Sequence, residues 1–370
     1  SQPGPGPAGA ASDDERDHMI RRALVTGCNG QMGSYLCELL LAKGYNVYGL
    51  VRRTSTPNLW RLQACVAKMT LLEADVLDEA SLRKAMITCH PHEVYHLASQ
   101  SHVGLSFTEA EYTVQATGLG AARLFETVRR CTPLSLGTRI YQASSSEQFG
   151  VNDQAWQDEQ TPMRPVSPYG FAKLLAHQFA HLYRESYGVF VACGIAFNHE
   201  SPRRGEDFVT RKITKTLAAI VTGQATTLTL GNLAAQRDWL HAKDVAQGAW
   251  QSLQAPAPED WVFASGETHS VEEFAQRAAR HAGVALATVL LQEAHCLRPV
   301  DIPRLCGNAT KARTTLGWQP TVAFDELVKE MMDADLAEAR SRRPVPSEGP
   351  GSANPVPGGG LSADVPEGPA

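Results

Sequence analysis

Short apolar runs and longer amphipathic stretches alternate along the first two hundred residues. The apolar runs predict six strands, at 22–26, 46–51, 70–75, 93–98, 139–144 and 189–195. The amphipathic stretches predict helices at about 32–43, from 78 onward, at about 110–130 and at 168–187, and Gly44 is a stop signal after the first of them. Strands that alternate with helices of ten or more residues form βαβ units. The predicted fold class is therefore α/β, with a doubly wound parallel sheet.

The pattern also divides the chain into segments. Residues 20–195 are predicted to form the sheet domain, with a later segment at about 235–265 possible as a returning part of it. The less regular order at 196–340 predicts a smaller C-terminal α/β lobe that binds substrate. Residues 1–19 and 341–370 are rich in Pro and Gly and have little to bury, so both are predicted to be disordered tails.

Composition and charge exclude several classes of protein. Among 370 residues, 34 Lys plus Arg stand against 39 Asp plus Glu, a net charge of −5 that gives no overall attraction to nucleic acid or an anionic membrane. No apolar run approaches the roughly 18 residues of a transmembrane helix, and the N-terminal segment does not have the pattern of a secretory signal. We therefore expect a cytoplasmic protein with no nucleic-acid or membrane partner.

The cysteines and histidines do not predict a metal centre. The eight cysteines are scattered with no CxxC pair, and His177 and His181 are spaced i, i+4 on a helix without a recognisable third ligand. Packing on the helix face is the favoured interpretation of these two histidines, so we expect no metal.

A glycine-rich turn follows the first strand and opens the first helix. Gly27, Gly30 and Gly33 give the pattern G-x-x-G-x-x-G, with Asn29, Gln31 and Met32 between them. Glycines at these positions let the backbone approach a pyrophosphate, whose charge is stabilised at the helix N-terminus. The alternative is a plain strand-to-helix turn, but the position in the first βα unit favours a Rossmann-type dinucleotide site.

The end of the second strand indicates which dinucleotide binds. NAD would be favoured by an acidic residue there, but the chain has Arg52 and Arg53, then two hydroxyl residues. Guanidinium groups suit a 2′-phosphate, so we predict NADP. A solvated basic loop is the alternative. Asp75, after the third strand, is placed to accept from an adenine amino group, or else to cap the following helix.

The catalytic candidates follow the fifth strand. Ser145 and Glu147 end that strand, and Tyr169 and Lys173 share one face of the next helix at i, i+4. A nearby ammonium favours the phenolate, so Tyr169 is a candidate base and Lys173 is predicted to lower its pKa. Glu147 adds a carboxylate next to these groups. The alternative for Glu147 is a structural carboxylate.

These motifs together resemble the extended short-chain dehydrogenase/reductase superfamily, and within it the GDP-mannose 4,6-dehydratase family. The specific matches are 198–205 (Asn-His-Glu-Ser-Pro-Arg-Arg-Gly), 208–213, 30–36, 100–103, 141–144, 237–239, 242–244 and 298–299, and together they span about residues 21–340. The resemblance implies oxidation at C4 by NADP, removal of the C5 proton by Glu147, loss of the C6 hydroxyl and return of the hydride to C6. It implies that Tyr169 takes the O4 proton, that Ser145 supports this transfer and that Lys173 holds the nicotinamide ribose.

The resemblance also implies which residues bind the two ligands. For the cofactor it adds to the turn and strand-end residues above Val76, Leu97, Ala98, Ser99, His199 and Arg204, together with Tyr169 and Lys173. For the nucleotide sugar it gives, besides Ser145, Glu147 and Tyr169, the residues Ser101, Asn198, Val209, Lys212, Leu230, Gly231, Arg237, Arg298 and Asp301. Arg52, Arg53 and Arg61 match a loop that reaches a neighbouring subunit in tetramers, so the implied assembly is a homotetramer.

Several positions depart from the family pattern. Met32 replaces an Asp, Ser145 a Thr and Asp301 a Glu. In the segment 164–166, Val166 stands where the family has an Arg. Two alternatives to GDP-mannose dehydration therefore stay open. One is a reductase, epimerase or dehydratase that acts on another nucleotide sugar, and the other is a catalytically silent protein that binds NADP and a sugar nucleotide.

Overall fold

The computed structural model describes residues 20–56, 58–132, 136–293 and 299–341. Of the predicted tails 1–19 and 341–370, residues 1–19 and 342–370 lie outside these residues, and so does the predicted substrate residue Arg298. Ser341 is described and ends the last helix.

A seven-stranded parallel sheet forms the centre of the molecule, in the order β11-β6-β5-β4-β1-β2-β3. Its strands are β1 (Arg22–Thr26), β2 (Asn46–Val51), β3 (Thr70–Glu73), β4 (Glu93–His96), β5 (Arg139–Ser145), β6 (Phe190–Ala196) and β11 (Asp260–Phe263). The strand order reverses between β1 and β4, so a crevice opens there at the carboxyl ends of the strands. The fold class is the one that the sequence predicted.

Helices cover both faces of this sheet. They are α1 (Gln31–Ala42), α2 (Glu79–Cys89), α3 (Val103–Ser106), α4 (Ala110–Thr113), α5 (Gly120–Cys131), α6 (Pro168–Tyr187) and α8 (Ala242–Gln254). The helix predicted at about 110–130 is divided by a π-helical segment, Val114–Leu119. Gly118 in this segment packs closely against α6, and Gly120 at the start of α5 packs closely against Val76. Apolar clusters fill the space on each face, with Leu36 and Phe263 on one side and Leu124 and Ile140 on the other.

The smaller C-terminal lobe contains α7 (Val209–Val221), α9 (Val271–Ala282), α10 (Leu286–Val289) and α11 (Phe324–Ser341). Its short strands are β7 (Asn198–Glu200), β8 (Leu228–Leu230), β9 (Gln236–Arg237), β10 (Trp239–His241), β12 (His269–Ser270), β13 (Leu290–Gln292) and β14 (Arg304–Leu305). A separate apolar cluster that includes Leu217, Phe274 and Met331 holds α7, α9 and α11 together. A buried Arg211–Asp335 ion pair of 2.8 Å also joins α7 to α11.

The seventh strand is the main addition to the sequence-based prediction. Strand β11 lies inside the segment 235–265 and pairs in parallel with β6 at the edge of the sheet, with Asp260 opposite Cys193. Because this pairing joins residues far apart in the chain, local periodicity does not show it. Among the described residues, no helix is long and apolar enough to cross a membrane.

Candidate active site

The glycine turn after β1 leaves the N-terminus of α1 open toward a cleft. Gly27 has φ +66°, and a Cβ on Gly33 would lie 2.2 Å from the Gly27 carbonyl oxygen, so neither position accepts a side chain without strain. Gly30 is the N-cap of α1 and provides no side-chain cap, and the first turn of α1 carries no acidic residue. The free N–H groups of this turn therefore form a site suited to a phosphate.

Gln31 fixes the C-terminal lobe against this turn. Its side-chain nitrogen donates to the His199 carbonyl oxygen at 2.9 Å, and its Oε1 accepts from Ser201 Oγ at 2.7 Å. Gln31, Met32 and His199 line the cleft together with Asn29. The side chain of Gln31 is thus occupied in positioning β7 and His199 beside the glycine turn.

The end of β4 is held by one hydroxyl group. Thr26 Oγ1 accepts from the backbone N–H groups of Leu97 and Ala98, both at 3.0 Å, and lies 2.9 Å from His96 Nδ1. Burial lowers the pKa of His96 to about 3, so its ring is neutral. Leu97, Ala98 and Ser99 are thereby fixed in the wall of the cleft.

Two adjoining cavities run across the carboxyl ends of the strands and share Gly27, Asn29, Ala98, Ser99 and Ser101. The first, of about 410 Å³, contains the catalytic candidates, and the second, of about 770 Å³, lies between the ends of β2 and β3. An elongated ligand can therefore extend from the catalytic candidates across the glycine turn to the β2 end.

The second cavity brings together Arg52, Arg53, Asp75 and Val76, as the sequence-based assignments require. Both arginines are exposed, and Arg52 donates to the Tyr112 hydroxyl at 2.7 Å. Asp75 Oδ1 accepts from the Leu77 N–H at 2.9 Å, whereas the cap of α2 is Asp78. The alternative interpretation of Asp75 as a helix cap is thus wrong.

The four catalytic candidates meet in the first cavity. Ser145 ends β5, Glu147 lies in the following 3₁₀ turn, and Tyr169 and Lys173 lie on the first two turns of α6. All four are less than a tenth exposed, although they line the cavity. Ser145 Oγ accepts from the Glu147 N–H at 3.3 Å, which keeps the serine and the carboxylate adjacent.

Local sequence explains why α6 begins where it does. Ser167 is the N-cap and accepts from the Gly170 N–H at 3.0 Å, and Pro168 occupies the first helical position. The Tyr169 N–H donates to Ser106 Oγ at 3.2 Å. The first turn of α6 is therefore fixed on both sides, and with it the position of Tyr169.

The protonation of Tyr169 and Lys173 differs from the sequence-based expectation. Burial raises the pKa of Tyr169 to about 12, with Glu147 acting in the same direction and Ser145 and Arg204 in the opposite one. The Lys173 ammonium donates to the Ala143 carbonyl oxygen at 2.8 Å, and burial lowers its pKa to about 8. The pKa of Tyr169 in the unliganded chain is thus raised rather than lowered, because desolvation of the phenol outweighs the effects of Ser145 and Arg204.

The predicted substrate residues fall into two groups. Ser101, Asn198 and the catalytic candidates line the first cavity. The others among the described residues line neither cavity and lie in the C-terminal lobe, at Val209, Lys212, Leu230, Gly231, Arg237 and Asp301. Arg237 forms an ion pair of 3.0 Å with Asp301 and donates to the Ile302 carbonyl oxygen at 2.7 Å. Asp301, although its side chain is one methylene shorter than the Glu of the family pattern, therefore contacts Arg237.

Arg204 and Arg61 place positive charge in the cleft. Arg204 was assigned to the cofactor from the sequence; it forms an ion pair of 3.1 Å with Glu200 and stacks on Phe208. Arg61, which the sequence linked only to a neighbouring subunit, lines the cleft of its own chain and donates to the Arg203 carbonyl oxygen at 2.6 Å. Arg61 lies in a short 3₁₀ helix, Trp60–Leu62, and its partner Arg203 is far away in the chain, so no local pattern could have shown this position.

Comparisons with known proteins indicate the family of this chain. The family model described as GDP-mannose 4,6 dehydratase matches residues 24–331. The human GDP-mannose 4,6 dehydratase is 43% identical over 359 residues, covering 90% of this chain and 96% of the human protein. The Vibrio cholerae GDP-mannose 4,6-dehydratase is 40% identical over 356 residues, covering 87% of this chain and 95% of that protein.

A solved structure shows the same fold. DesIV, a dTDP-glucose 4,6-dehydratase from Streptomyces venezuelae solved with NAD and TYD bound, superposes with a TM-score of 0.76 at 22% identity, covering 86% of this chain and 98% of that one. The similarity to DesIV supports the architecture, and the family model and the curated relatives extend over most of the chain. On these grounds the chain belongs to the GDP-mannose 4,6-dehydratase family.

Proposed function

We propose that this chain converts GDP-mannose into GDP-4-keto-6-deoxy-mannose, with NADP bound in the cleft. One observation carries the proposal: the Glu147 carboxylate lies in the same cavity as Ser145, Tyr169 and Lys173. A serine, tyrosine and lysine suffice for reversible oxidation of an alcohol. A dehydratase also needs a base for the carbon next to the new ketone, and Glu147 has the chemistry of such a base.

Several described residues support a dinucleotide with a 2′-phosphate. The uncapped N-terminus of α1 suits the pyrophosphate, we assign the adenine to the part of the cavity lined by Asp75 and Val76, and the two guanidinium groups of Arg52 and Arg53 suit a 2′-phosphate. Lys173 would hold the nicotinamide ribose, with Leu97, Ala98, Ser99, His199 and Arg204 around it. When bound, NADP would supply a reversible hydride acceptor, so the oxidation at C4 and the reduction at C6 would leave no net oxidation.

Ser145 and Tyr169 act on the C4 hydroxyl in this proposal. Tyr169 removes the O4 proton as the C4 hydrogen leaves as hydride, and Ser145 donates a hydrogen bond that holds O4 in line with the phenol oxygen. Because burial raises the pKa of Tyr169 to about 12, its side chain is a neutral phenol in the unliganded chain at neutral pH. The positive charges of Lys173 and Arg204 favour the phenolate once the substrate excludes water from the cleft.

Glu147 acts at C5. The ketone at C4 makes the C5 proton acidic, and Glu147 removes that proton while the C6 hydroxyl leaves. The C5 proton that Glu147 gains and the hydroxide lost from C6 together make one water molecule. When the hydride returns to C6, C5 takes up one proton, equivalent to the one that Tyr169 removed from O4, so atoms and charges balance. The burial of Glu147, which is 8% exposed, keeps bulk water away from the reactive enone.

The nucleotide half of the substrate is assigned to the C-terminal lobe. Asn198 lines the catalytic cavity at the entrance to that lobe, and Lys212 and Arg237 supply positive charge beyond it. Arg237 is only 6% exposed and is held by Asp301 and backbone carbonyl groups, so its guanidinium is preorganised for an anion. We assign the GDP diphosphate to these cations, and the base to the region of Val209, Leu230 and Gly231.

The purified chain incubated with GDP-mannose, without added reductant, tests the proposal. We expect a product lighter by one water at constant total NADPH, followed by mass spectrometry and near-ultraviolet absorption. Turnover that consumes NADPH would instead indicate a reductase. A product of unchanged mass would indicate an epimerase, and binding of GDP-mannose without turnover a catalytically silent relative.

The cofactor preference makes a second expectation. NADP should bind at least about tenfold more tightly than NAD in isothermal titration calorimetry, because two guanidinium groups lie at the β2 end. The double substitution Arg52→Ala and Arg53→Ala should remove this difference. The matched control, Arg83→Ala with Lys84→Ala, removes two exposed cations outside both cavities and should preserve it. Tighter binding of NAD to the unmodified chain would contradict the assignment.

The assembly is proposed to be a homotetramer. Arg52 and Arg53 are exposed beside the cofactor cavity, where a neighbouring copy could complete the site. Sedimentation equilibrium should therefore give a mass near four chains, and a monomer at all protein concentrations would contradict this expectation. A change of Arg61 should perturb the chain's own cleft first, because Arg61 donates within it.

A further inference from the structure

We propose that the C-terminal half of α6 and the adjoining strands β6 and β11 form a binding site for a zinc-like transition-metal ion, with His177, His181, Cys193 and Asp260 as ligands. This site is separate from the residues that bind cofactor and substrate. The sequence indicated no metal because His177 and His181 had no visible third ligand. The tertiary structure supplies both a carboxylate and a thiol beside them.

The site follows from the placement of one helix over the edge of the sheet. His177 and His181 continue the i, i+4 row that begins with Tyr169 and Lys173. Cys193 and Asp260 are direct partners in the parallel pair β6–β11, so their side chains lie on the same face of the sheet. Helix α6 covers that face and brings the two histidines onto the two strand residues.

The candidate ligand atoms lie close enough together to surround one ion. His181 Nε2 lies 2.6 Å and His177 Nε2 lies 3.4 Å from the same oxygen, Asp260 Oδ2. Ligand atoms of His177, Cys193 and Asp260 all lie within 4.8 Å of one another. Bond lengths of about 2.0–2.3 Å in a tetrahedral zinc site place ligand atoms roughly 3.3–3.8 Å apart. The atoms of His177, Cys193 and Asp260 therefore need to approach by about 1 Å at most, and the hydrogen-bonded pair His181–Asp260 needs to open by a similar amount.

The groups behind these ligands have the arrangement that metal sites require. His177 Nδ1 is 2.9 Å from Ser144 Oγ, which can accept a proton from Nδ1. In that tautomer, Nε2 carries the lone pair that coordinates an ion beside Asp260. Arg184 holds the other carboxylate oxygen of Asp260 at 2.9 Å, which fixes the orientation of Oδ2. Both first ligands thus have a partner that orients them.

Burial and charge also suit a soft divalent ion. Cys193 and His177 are at most 1% exposed, whereas His181 is 33% exposed and provides a path from solvent. Binding of the ion displaces the proton of the Cys193 thiol to solvent. A thiolate and a carboxylate together offset the charge of the ion next to Arg184. Thiolate with imidazole selects zinc-like ions over magnesium or calcium.

The site touches the catalytic strand through one residue. Ser144, which contacts His177, also lines the catalytic cavity and precedes Ser145 in β5. A metal on His177 would therefore stiffen both α6 and the end of β5. The role of the ion in this inference is structural, and the proposed reaction does not depend on it.

Titration of the purified, chelator-treated full chain with Co²⁺ tests the proposal. We expect one tightly bound Co²⁺ per chain, with visible bands of a tetrahedral site and a near-ultraviolet thiolate charge-transfer band, both displaced by Zn²⁺. His181→Ala should weaken binding at least tenfold, because it removes one ligand at the solvent-facing side. Cys193→Ala should abolish the charge-transfer band.

The pair His281 and Asp333 provides a matched control. His281 Nε2 lies 2.6 Å from Asp333 Oδ1, and His281 is 32% exposed, almost as His181 is. In the part of the chain that the structure describes, no cysteine or second histidine completes a ligand group there. His281→Ala should therefore leave Co²⁺ affinity unchanged.

Two results would overturn the proposal. One is failure of the unmodified, folded chain to bind a stoichiometric Co²⁺ or Zn²⁺ ion. The other is retention of full affinity by His181→Ala. Should Cys193→Ala not fold, the His181→Ala comparison still decides, because the His181 side chain is 33% exposed and its removal opens no fully buried cavity. Since metal binding is the readout, these results do not depend on turnover of GDP-mannose.

Discussion

Replacing Glu147 by Gln should lower the turnover of GDP-mannose by roughly 10²–10⁴-fold, the largest loss that we expect from one substitution. The amide keeps the size of the side chain but cannot accept the C5 proton. Glu147 is buried in the catalytic cavity next to Ser145, so no bulk water can replace it as the base. The loss should appear in kcat, measured by mass spectrometry of the product.

The same variant should still perform the first half of the reaction. Tyr169, Ser145 and Lys173 are intact, so oxidation at C4 can proceed while water loss is blocked. A single-turnover experiment with excess enzyme should therefore show a rise in NADPH absorption that does not decay. Turnover near the level of the unmodified chain would remove Glu147 from the mechanism.

A buried carboxylate elsewhere controls for effects on folding. Glu93 is 2% exposed and accepts from the Tyr45 and Tyr95 hydroxyl groups at the amino end of β4, the opposite end of the sheet from the cleft. Glu93→Gln should reduce stability more than it reduces turnover. A comparable loss of kcat in both variants would indicate that the Glu147 effect is structural.

Replacing Tyr169 by Phe should cause a similar loss, roughly 10²–10⁴-fold, by removing the group that takes the O4 proton. Here, in contrast to Glu147→Gln, no NADPH should form, because the first step is blocked. Binding of GDP-mannose should survive, since the ring still fills its buried position. Single-turnover absorption and calorimetric binding together distinguish the two variants.

The pH dependence gives this prediction a sign. With a pKa of about 12, Tyr169 in the unliganded chain is a phenolate only in a small fraction at neutral pH, and that fraction rises about tenfold per pH unit. Because kcat/KM reports the free enzyme, it should rise from about pH 6 to 8 in the unmodified chain. Lys173, with a pKa of about 8, loses its charge above that range, so the rise should then level off. The residual activity of Tyr169→Phe should not show this rise.

Tyr141 is the matched control for the loss of a phenol. It lines the same cavity and is fully buried, and its hydroxyl has no hydrogen-bond partner among the described residues. Tyr141→Phe should keep both turnover and the pH profile. A loss as large as that of Tyr169→Phe would argue that removal of any phenol disturbs the cleft.

Much of the fold could be predicted because its signals are local. The strands 22–26 and 46–51 and the helix 168–187 coincide with β1, β2 and α6, since apolar periodicity, a capping serine and Gly188 act over a few residues. The convergence of Gly27, Ser145 and Tyr169 was also predictable, because all follow or flank the carboxyl ends of strands in one parallel sheet.

Other features depend on contacts between distant parts of the chain. The neighbouring lysine is visible at i+4 of Tyr169, whereas the burial that raises the Tyr169 pKa is not visible in the sequence. Arg61 could not be assigned to its own cleft, since its partner Arg203 is more than a hundred residues away. Strand β11 joined the sheet without a local signal of its pairing.

By itself, the sequence determined the layered α/β architecture, the dinucleotide turn and the residue types of the catalytic cavity. The tertiary structure decided which charges are desolvated and which distant side chains meet. His177, His181, Cys193 and Asp260 show this division: spacing gives the first two, and only the pairing of β6 with β11 under α6 adds the others. The physical reason is that periodicity and capping act within a few residues, whereas burial and ligand geometry depend on the packed whole.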